Sequence, residues 1–166
     1  MNERVLIRKL PSGVPGLDDV LGVISAQALL FEEFLVQEAQ AGRLRLPLGP
    51  VAGKALVHGH CHQKSFGAFS QVEQTLRLIP DLEVETIDSS CCGMAGAFGY
   101  GADTYQVSID MAELSLLPAV RGADADTLIV ADGTSCRHQI ADGTERAALH
   151  VARVLAMSLD SARPNL

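Results

Sequence analysis

The sequence predicts an α/β fold of three layers, in which a mostly parallel β-sheet carries helices on both faces. From residue 54 onward, short apolar segments alternate with longer amphipathic segments, the pattern of successive strand–helix units. The chain has 166 residues, of which 48% are hydrophobic, enough for one domain with a core. Only 4% are aromatic and tryptophan is absent. The core is therefore predicted to consist of Leu, Val, Ile and Ala.

The chain divides into three parts by composition. Residues 1–24 are rich in proline and glycine and show no sustained period, so we expect a leader that is separate from the fold. Residues 25–160 carry the regular pattern and are predicted to form the domain, and residues 161–166 a short tail.

The domain is predicted to open with a helix that ends near Gly42. Its apolar residues, Leu29, Leu30, Phe34 and Val36 to Ala39, lie near helical spacing, with Glu32, Glu33, Gln37 and Glu38 between them. Prolines and glycines then predict a loop over residues 43–53.

The remaining elements follow from apolar runs and from apolar residues at helical spacing. They are a strand at 54–60, a helix that ends at Pro80, a strand at 82–88, a glycine-rich loop at 93–101, a helix that ends at Pro118, a strand at 127–133 and a last helix around 147–155. The helix before Pro118 is expected to bury Val107, Met111, Leu114 and Leu117. The last helix is expected to start from a capping box at residues 142–145.

Each cysteine follows a predicted strand. Cys61 comes after the first strand, Cys91 and Cys92 come after the second, and Cys136 comes after the third. Open α/β sheets bind ligands at the carboxyl ends of their strands, where the strand order reverses. We therefore expect the four thiols to converge on one ligand site at this edge, with metal or sulfur chemistry.

The same residues are compatible with more than one cofactor. Four thiolates meet the requirement of an iron–sulfur cluster, and with His62 and His138 nearby they also suit a tetrahedral zinc ion. Adjacent cysteines chelate a single zinc only with strain, so the sequence favours iron and sulfide. His62 and His138 are candidate ligands, and they are equally compatible with a place beside the ligands or on a solvated rim. Reversible disulfide formation between Cys91 and Cys92, without metal, is a third interpretation.

Gly93 directly follows the cysteine pair. It is a candidate cofactor-binding residue, because a glycine lets the backbone N–H approach an inorganic sulfur. A simple turn into the next helix explains it equally well.

Composition excludes several partner classes. The net charge of −7 argues against nucleic acid, which needs a basic face. No stretch of about 18 apolar residues predicts a membrane span, and no secretory signal is recognised. We expect a cytoplasmic protein whose thiols stay reduced.

The segments C-H-Q-K, S-C-C-G-M-A-G-A-F-G-Y and D-G-T-S-C-R-H-Q-I, in this order, resemble the cysteine-rich CCG domain of iron–sulfur oxidoreductases. That domain occurs in one of the subunits of heterodisulfide reductase and in iron–sulfur subunits of glycolate oxidase, anaerobic glycerol-3-phosphate dehydrogenase and lactate-utilisation enzymes. The chain looks most like the C-terminal end of a fused FAD-linked oxidase and iron–sulfur protein.

The resemblance implies an electron-transfer domain of a flavin-linked 2-hydroxy-acid oxidoreductase of lactate or glycolate type. It implies that Cys61, Cys91, Cys92 and Cys136 hold an iron–sulfur cluster, [4Fe–4S] above all. The family's second C-x-x-C cysteine is replaced by Gln139, so the resemblance is compatible with a cluster held by the four cysteines alone or with a site completed by His138 or another group. Zinc, or a fragment without function, are the alternatives.

The resemblance also implies partners, because the family's flavin domain and ferredoxin-like cysteine motifs are not in this sequence. FAD is expected on a dehydrogenase domain or subunit, with a ferredoxin-like domain beside it. The chain is not expected to be active alone, and its partners could hold it at the inner face of the membrane. Residues 1–24 resemble the start of RecA/KaiC-like ATPases, but no Walker A motif follows.

Overall fold

A computed structural model describes residues 14–17, 19, 22–23 and 28–162. In this part of the chain, four parallel strands form one sheet with the order β2-β1-β3-β4. The strands are β1 (Gly53–His58), β2 (Leu82–Thr86), β3 (Leu128–Ala131) and β4 (Ala148–Leu149). The predicted α/β class is confirmed.

Seven α-helices accompany the sheet within residues 28–162. They are α1 (Phe31–Gln40), α2 (Cys61–Ser65), α3 (Phe69–Leu76), α4 (Tyr105–Glu113), α5 (Leu116–Gly122), α6 (Thr134–Thr144) and α7 (Val151–Ser161). A 3₁₀ turn covers Phe98–Tyr100. None of these helices is long and apolar enough to cross a membrane.

The sheet has a hydrophobic core on each face, because side chains alternate along its strands. On one face Val57 of β1 packs in a cluster with residues of α1, α3 and α7. On the other face Leu56 of β1 packs in a cluster with residues of α5 and α6, and this cluster includes Cys92 and Cys136. The three-layer arrangement therefore places two of the cysteines in the second core.

The connections diverge between the two central strands. The chain leaves β1 through α2 and α3 to reach β2 on one side, and it leaves β3 through α6 to reach β4 on the other side. The loops after β1 and β3 thus point away from each other and open a crevice at the carboxyl edge, the usual ligand position in such sheets.

The inner face of α1 differs from the predicted one. Leu35, Val36 and Glu32 are buried, whereas Phe34 is half exposed. Helical spacing indicates that a helix forms, but it does not fix which side of the helix is buried. In α1 the buried side is the one that packs against α3, and it contains a glutamate. Glu32, which lies between the apolar positions of the pattern, is therefore part of the buried face.

The helix predicted to end at Pro118 consists of two helices. α4 ends at Glu113, Leu114 is 78% exposed, and α5 begins at Leu116 with Pro118 in its first turn. Proline is tolerated there because the N–H groups of a first turn have no partner within the helix. Val107 is also half exposed, so the predicted apolar stripe is wrong at Val107 and Leu114.

The predicted capping box at residues 142–145 is also wrong. α6 runs through to Thr144 and ends at Glu145, which has the left-handed φ of 59°. The last helix begins only after β4, where Nδ1 of His150 accepts a hydrogen bond from the Ala152 N–H. The sequence pattern predicted neither β4 nor the short helix α2. The predicted tail beyond residue 162 and most of the predicted leader lie outside the described residues.

Candidate metal centre

The three cysteine segments all lie at the carboxyl edge of the sheet. Cys61 is the first residue of α2 just after β1, Cys91 and Cys92 follow β2, and Cys136 lies in the first turn of α6 after β3. All four are free thiols. Cys92 and Cys136 are buried, with 3% and 1% exposure, whereas Cys61 and Cys91 are half-buried.

The centre of this edge is a group of three buried donors, His58, Cys92 and Cys136. One ligand atom from each lies within 4.8 Å of the other two. His58 is the last residue of β1 and pairs in the sheet with Ala131, the last residue of β3. Parallel pairing therefore sets the histidine at the mouth of the crevice, between the loops that carry the cysteines. We call this group the sulfur–histidine group.

His58 is held by one of its two ring nitrogens. Its Nδ1 lies 2.8 Å from Oγ of Ser89 in the loop after β2. Its Nε2 is buried and has no partner at ordinary hydrogen-bond distance in the described part of the chain, although the ring lies close enough to Cys92 to help lower the pKa of that thiol. A buried polar atom without a partner costs about 1–3 kcal/mol. Such an atom beside two buried sulfurs fits a site that a metal completes.

The two buried thiols are coupled. The pKa of Cys92 lies well below its ordinary value because Cys136 donates a hydrogen bond to its sulfur, with a further contribution from His58. The pKa of Cys136 is raised, because its proton is held by Cys92 and because the thiol is buried. Cys61 and Cys91 also raise the pKa of Cys136, so all four sulfurs lie within electrostatic reach of one another. A centre of this kind favours a cation or a cationic cluster.

Gly93 combines a turn with a close backbone approach. Its φ is +89°, and a Cβ at this position would lie 2.1 Å from the carbonyl oxygen of Ser108 in α4. Its N–H donates to the sulfur of Cys91 at 3.4 Å. Only glycine fits here, and its amide already points at a candidate ligand.

The other two histidines of the predicted site lie at its surface. His62 is exposed in α2 and stacks on His60, with ring centroids 5.1 Å apart. His138 is exposed in α6, and its Nδ1 lies 2.6 Å from the hydroxyl of Tyr100. Neither belongs to the sulfur–histidine group.

Gln139, which stands where the resemblance expects a cysteine, is part of the packing. It is buried, and its amide nitrogen donates to the carbonyl oxygen and the hydroxyl of Ser108, at 3.1 and 3.0 Å. These bonds tie α6 to α4 behind the cysteine pair. Gln139 therefore acts as a structural link between two helices.

A second group of titratable side chains lies at the same edge. Donor atoms of Glu32, Asp132 and His150 lie within 4.8 Å of one another. Asp132 follows β3, and its carboxylate accepts hydrogen bonds from the Gln63 amide at 2.9 Å and the Val151 N–H at 3.0 Å. We call this the carboxylate–histidine group. It joins α1, α2 and α7 to the end of β3.

His58 is not among the site residues predicted from the sequence. Two features of the sequence could have identified His58. It is the last residue of a strand, and it lies two residues after Leu56, so both side chains point to the same face of the sheet. What the pattern could not supply was the face on which the thiols lie.

Comparison with known proteins identifies two relatives of this chain. The chain is similar to one of the subunits of an anaerobic glycerol-3-phosphate dehydrogenase. Identity is 34% over 114 residues, both for the protein of Escherichia coli K12 and for that of Escherichia coli O157:H7. The match covers 69% of this chain and 28% of each relative, so this chain spans well under a third of their length. No family model matches the chain, and no solved structure matches it significantly.

Proposed function

We propose that this chain is an iron–sulfur-binding electron-transfer domain of a flavin-linked oxidoreductase. Cys61, Cys91, Cys92 and Cys136 would hold the cluster, a [4Fe–4S] centre in the simplest case. His62 and His138 would lie at its solvent rim, and Gly93 would direct its backbone N–H toward sulfur. The cluster would accept one electron at a time from a reduced flavin and pass it on.

The observation that carries this proposal is the convergence of soft donors in a buried crevice. Two sulfurs and one imidazole meet within 4.8 Å, and the other two cysteines lie at the rim. Thiolates are the usual ligands of iron–sulfur clusters, and shielding from water is part of how such sites set their potential. Cys92 and Cys136 belong to the second hydrophobic core, but packing alone does not require a histidine and two further cysteines at the same edge.

The similarity to a dehydrogenase subunit supports a role in oxidation and reduction. Because a subunit acts together with others, we propose that this chain also has partners, a flavin-containing dehydrogenase and a ferredoxin-like domain. We propose a 2-hydroxy acid such as lactate or glycolate as substrate of the flavin partner. Glycerol 3-phosphate, named in the relative, is the competing substrate. Activity of this chain alone is not expected.

Anaerobic expression followed by metal analysis tests the proposal. We expect a brown protein with iron and acid-labile sulfide in equal amounts and an EPR signal on reduction. The variant Cys92→Ala should lose all three, whereas His150→Gln, away from the sulfurs, should keep them. A colourless protein with one zinc per chain would contradict the proposal.

A zinc-binding structural module is the second candidate. The sulfur–histidine group favours it, because one imidazole and two thiolates with a third thiolate are a common zinc ligand set. Structural zinc stabilises the fold, so a chelator should then unfold the protein reversibly. A chelator that leaves the metal-bound protein folded and iron-loaded would exclude this candidate.

A further inference from the structure

We propose that Nε2 of His58 is a direct ligand of the metal centre, as the fifth protein donor beside the four cysteines. The inference rests on the proposed function, since it names a ligand of the same centre. It differs from the sequence-based candidates His62 and His138, which are both exposed.

In the described part of the chain, two buried side-chain polar atoms have no partner at ordinary hydrogen-bond distance: Nε2 of His58 and Oγ1 of Thr75. Thr75 lies in α3, in the wall of the opposite core. Nε2 of His58 belongs to a side chain that is 2% exposed and that lies beside two buried sulfurs. Coordination would satisfy this nitrogen and remove the cost of its burial.

The tautomer that ligation through Nε2 requires is compatible with the surroundings of His58. An imidazole can ligate through Nε2 only if its other nitrogen carries the proton. Nδ1 of His58 lies 2.8 Å from the Ser89 hydroxyl, which can accept that proton's hydrogen bond. The position of Ser89 is in turn fixed by Lys64, which donates a hydrogen bond to the carbonyl oxygen of Ser89. A metal-bound histidine whose second nitrogen donates to a fixed oxygen is the usual arrangement.

Gln139 stands where the resemblance expects a further cysteine, but its amide nitrogen donates two hydrogen bonds to Ser108. Gln139 therefore serves the contact between α4 and α6, and its side chain has no sulfur to offer. The proposed fifth donor is instead His58, which lies beside the two buried sulfurs at the end of β1.

Pulsed EPR on the reduced protein with ¹⁵N-labelled histidine tests this ligand. Iron and sulfide are measured first on the same sample, because their presence decides the proposed function separately. We expect one strongly coupled histidine nitrogen, lost in His58→Ala and in His58→Cys and retained in His62→Gln, His138→Gln and His150→Gln. His58→Cys should still bind iron and sulfide. Only weakly coupled nitrogens in the wild type, or a strong coupling that survives His58→Ala, would overturn the ligand while leaving the cluster in place.

If the centre holds zinc, the same question is answered with ¹¹³Cd in place of the metal. A direct coupling between ¹¹³Cd and Nε2 of His58 supports the ligand and overturns the iron–sulfur function. If no such coupling is observed, or if no metal binds at all, the proposal that His58 is a ligand is overturned. Ser89→Ala provides a graded check, because it removes the oxygen that fixes the tautomer. We expect it to weaken metal binding about tenfold in a chelator competition, with folding unchanged.

Discussion

The sulfur–histidine group and the carboxylate–histidine group lie at the same edge of the sheet, and both bring three metal-ligating side chains within 4.8 Å. The two groups differ in whether their donor atoms already make hydrogen bonds within the protein. Asp132 accepts two hydrogen bonds, and Nδ1 of His150 accepts one from a backbone N–H. In the first group, Nε2 of His58 has no such partner within the described residues.

The proton on His150 sharpens this difference. Because Nδ1 accepts from the Ala152 N–H, a neutral His150 carries its proton on Nε2, 3.7 Å from the carboxylate of Asp132. That nitrogen faces its neighbour as a donor and is unsuited to bind a metal. Proximity alone therefore does not define a metal site. The deciding property is a donor atom that the protein leaves unused.

The largest expected effect is on metal content. Replacing Cys136 by Ala should weaken metal binding at least about 100-fold, beyond the range for loss of an outer hydrogen-bond partner. His150→Ala is the matched change in the other group and should leave metal content unchanged. Metal analysis after gel filtration measures both. Equal losses in the two variants would mean that the two groups form one site.

The next effect is on stability and belongs to the carboxylate–histidine group. Asp132→Ala removes the acceptor for the Gln63 amide and the Val151 N–H, so we expect a loss of about 2 kcal/mol in the free energy of unfolding. Urea unfolding of metal-free protein measures it. The folded Asp132→Ala variant should bind metal as well as the wild type does. If it folds but no longer binds metal, then the carboxylate–histidine group is part of the metal site.

The smallest effect is a pH dependence from Glu32. Burial raises the pKa of Glu32 above the ordinary 4.5, and the charge of Asp132 adds to this. The folded protein then binds this proton more tightly than the unfolded chain does. The resulting stability is present below pH 4.5 and is lost as the pH rises through the raised pKa. Glu32→Gln should therefore be the more stable protein at about pH 7, with the difference vanishing near the ordinary pKa.

Urea midpoints across this pH range measure the effect. Glu83→Gln, on the exposed side of β2, is the control and should follow the wild type. A Glu32→Gln variant that is less stable than wild type at neutral pH would show that the ionised carboxylate is a favourable partner of His150.

Sequence reasoning succeeded where a pattern is local. The apolar runs of β1 and β3 and the position of each cysteine after a strand can be read directly, and parallel pairing then gathers the cysteines at one edge. It failed where two local signals compete. Leu114 has the right spacing for a buried stripe but lies at the break between α4 and α5, and the supposed cap at residues 142–145 is the end of α6.

The candidate site shows the same division. Soft donors in three loops predict a metal centre from composition and order. The choice among the histidines does not follow from the order, since His62 and His138 are adjacent or close to a cysteine in sequence and still face solvent. His58 is three residues from Cys61, and it enters the centre because β1 and β3 end side by side.

The sequence by itself determined the fold class, the sheet edge where the cysteines gather and the soft chemistry of that edge, because these depend on periodicity, chain order and residue type. Only the tertiary structure decided which donors are buried, which are already hydrogen-bonded and which nitrogen remains unused. Those properties depend on contacts between distant segments: the Ser89 hydroxyl on Nδ1 of His58, Ser108 on Gln139, and α1 turning Glu32 toward Asp132.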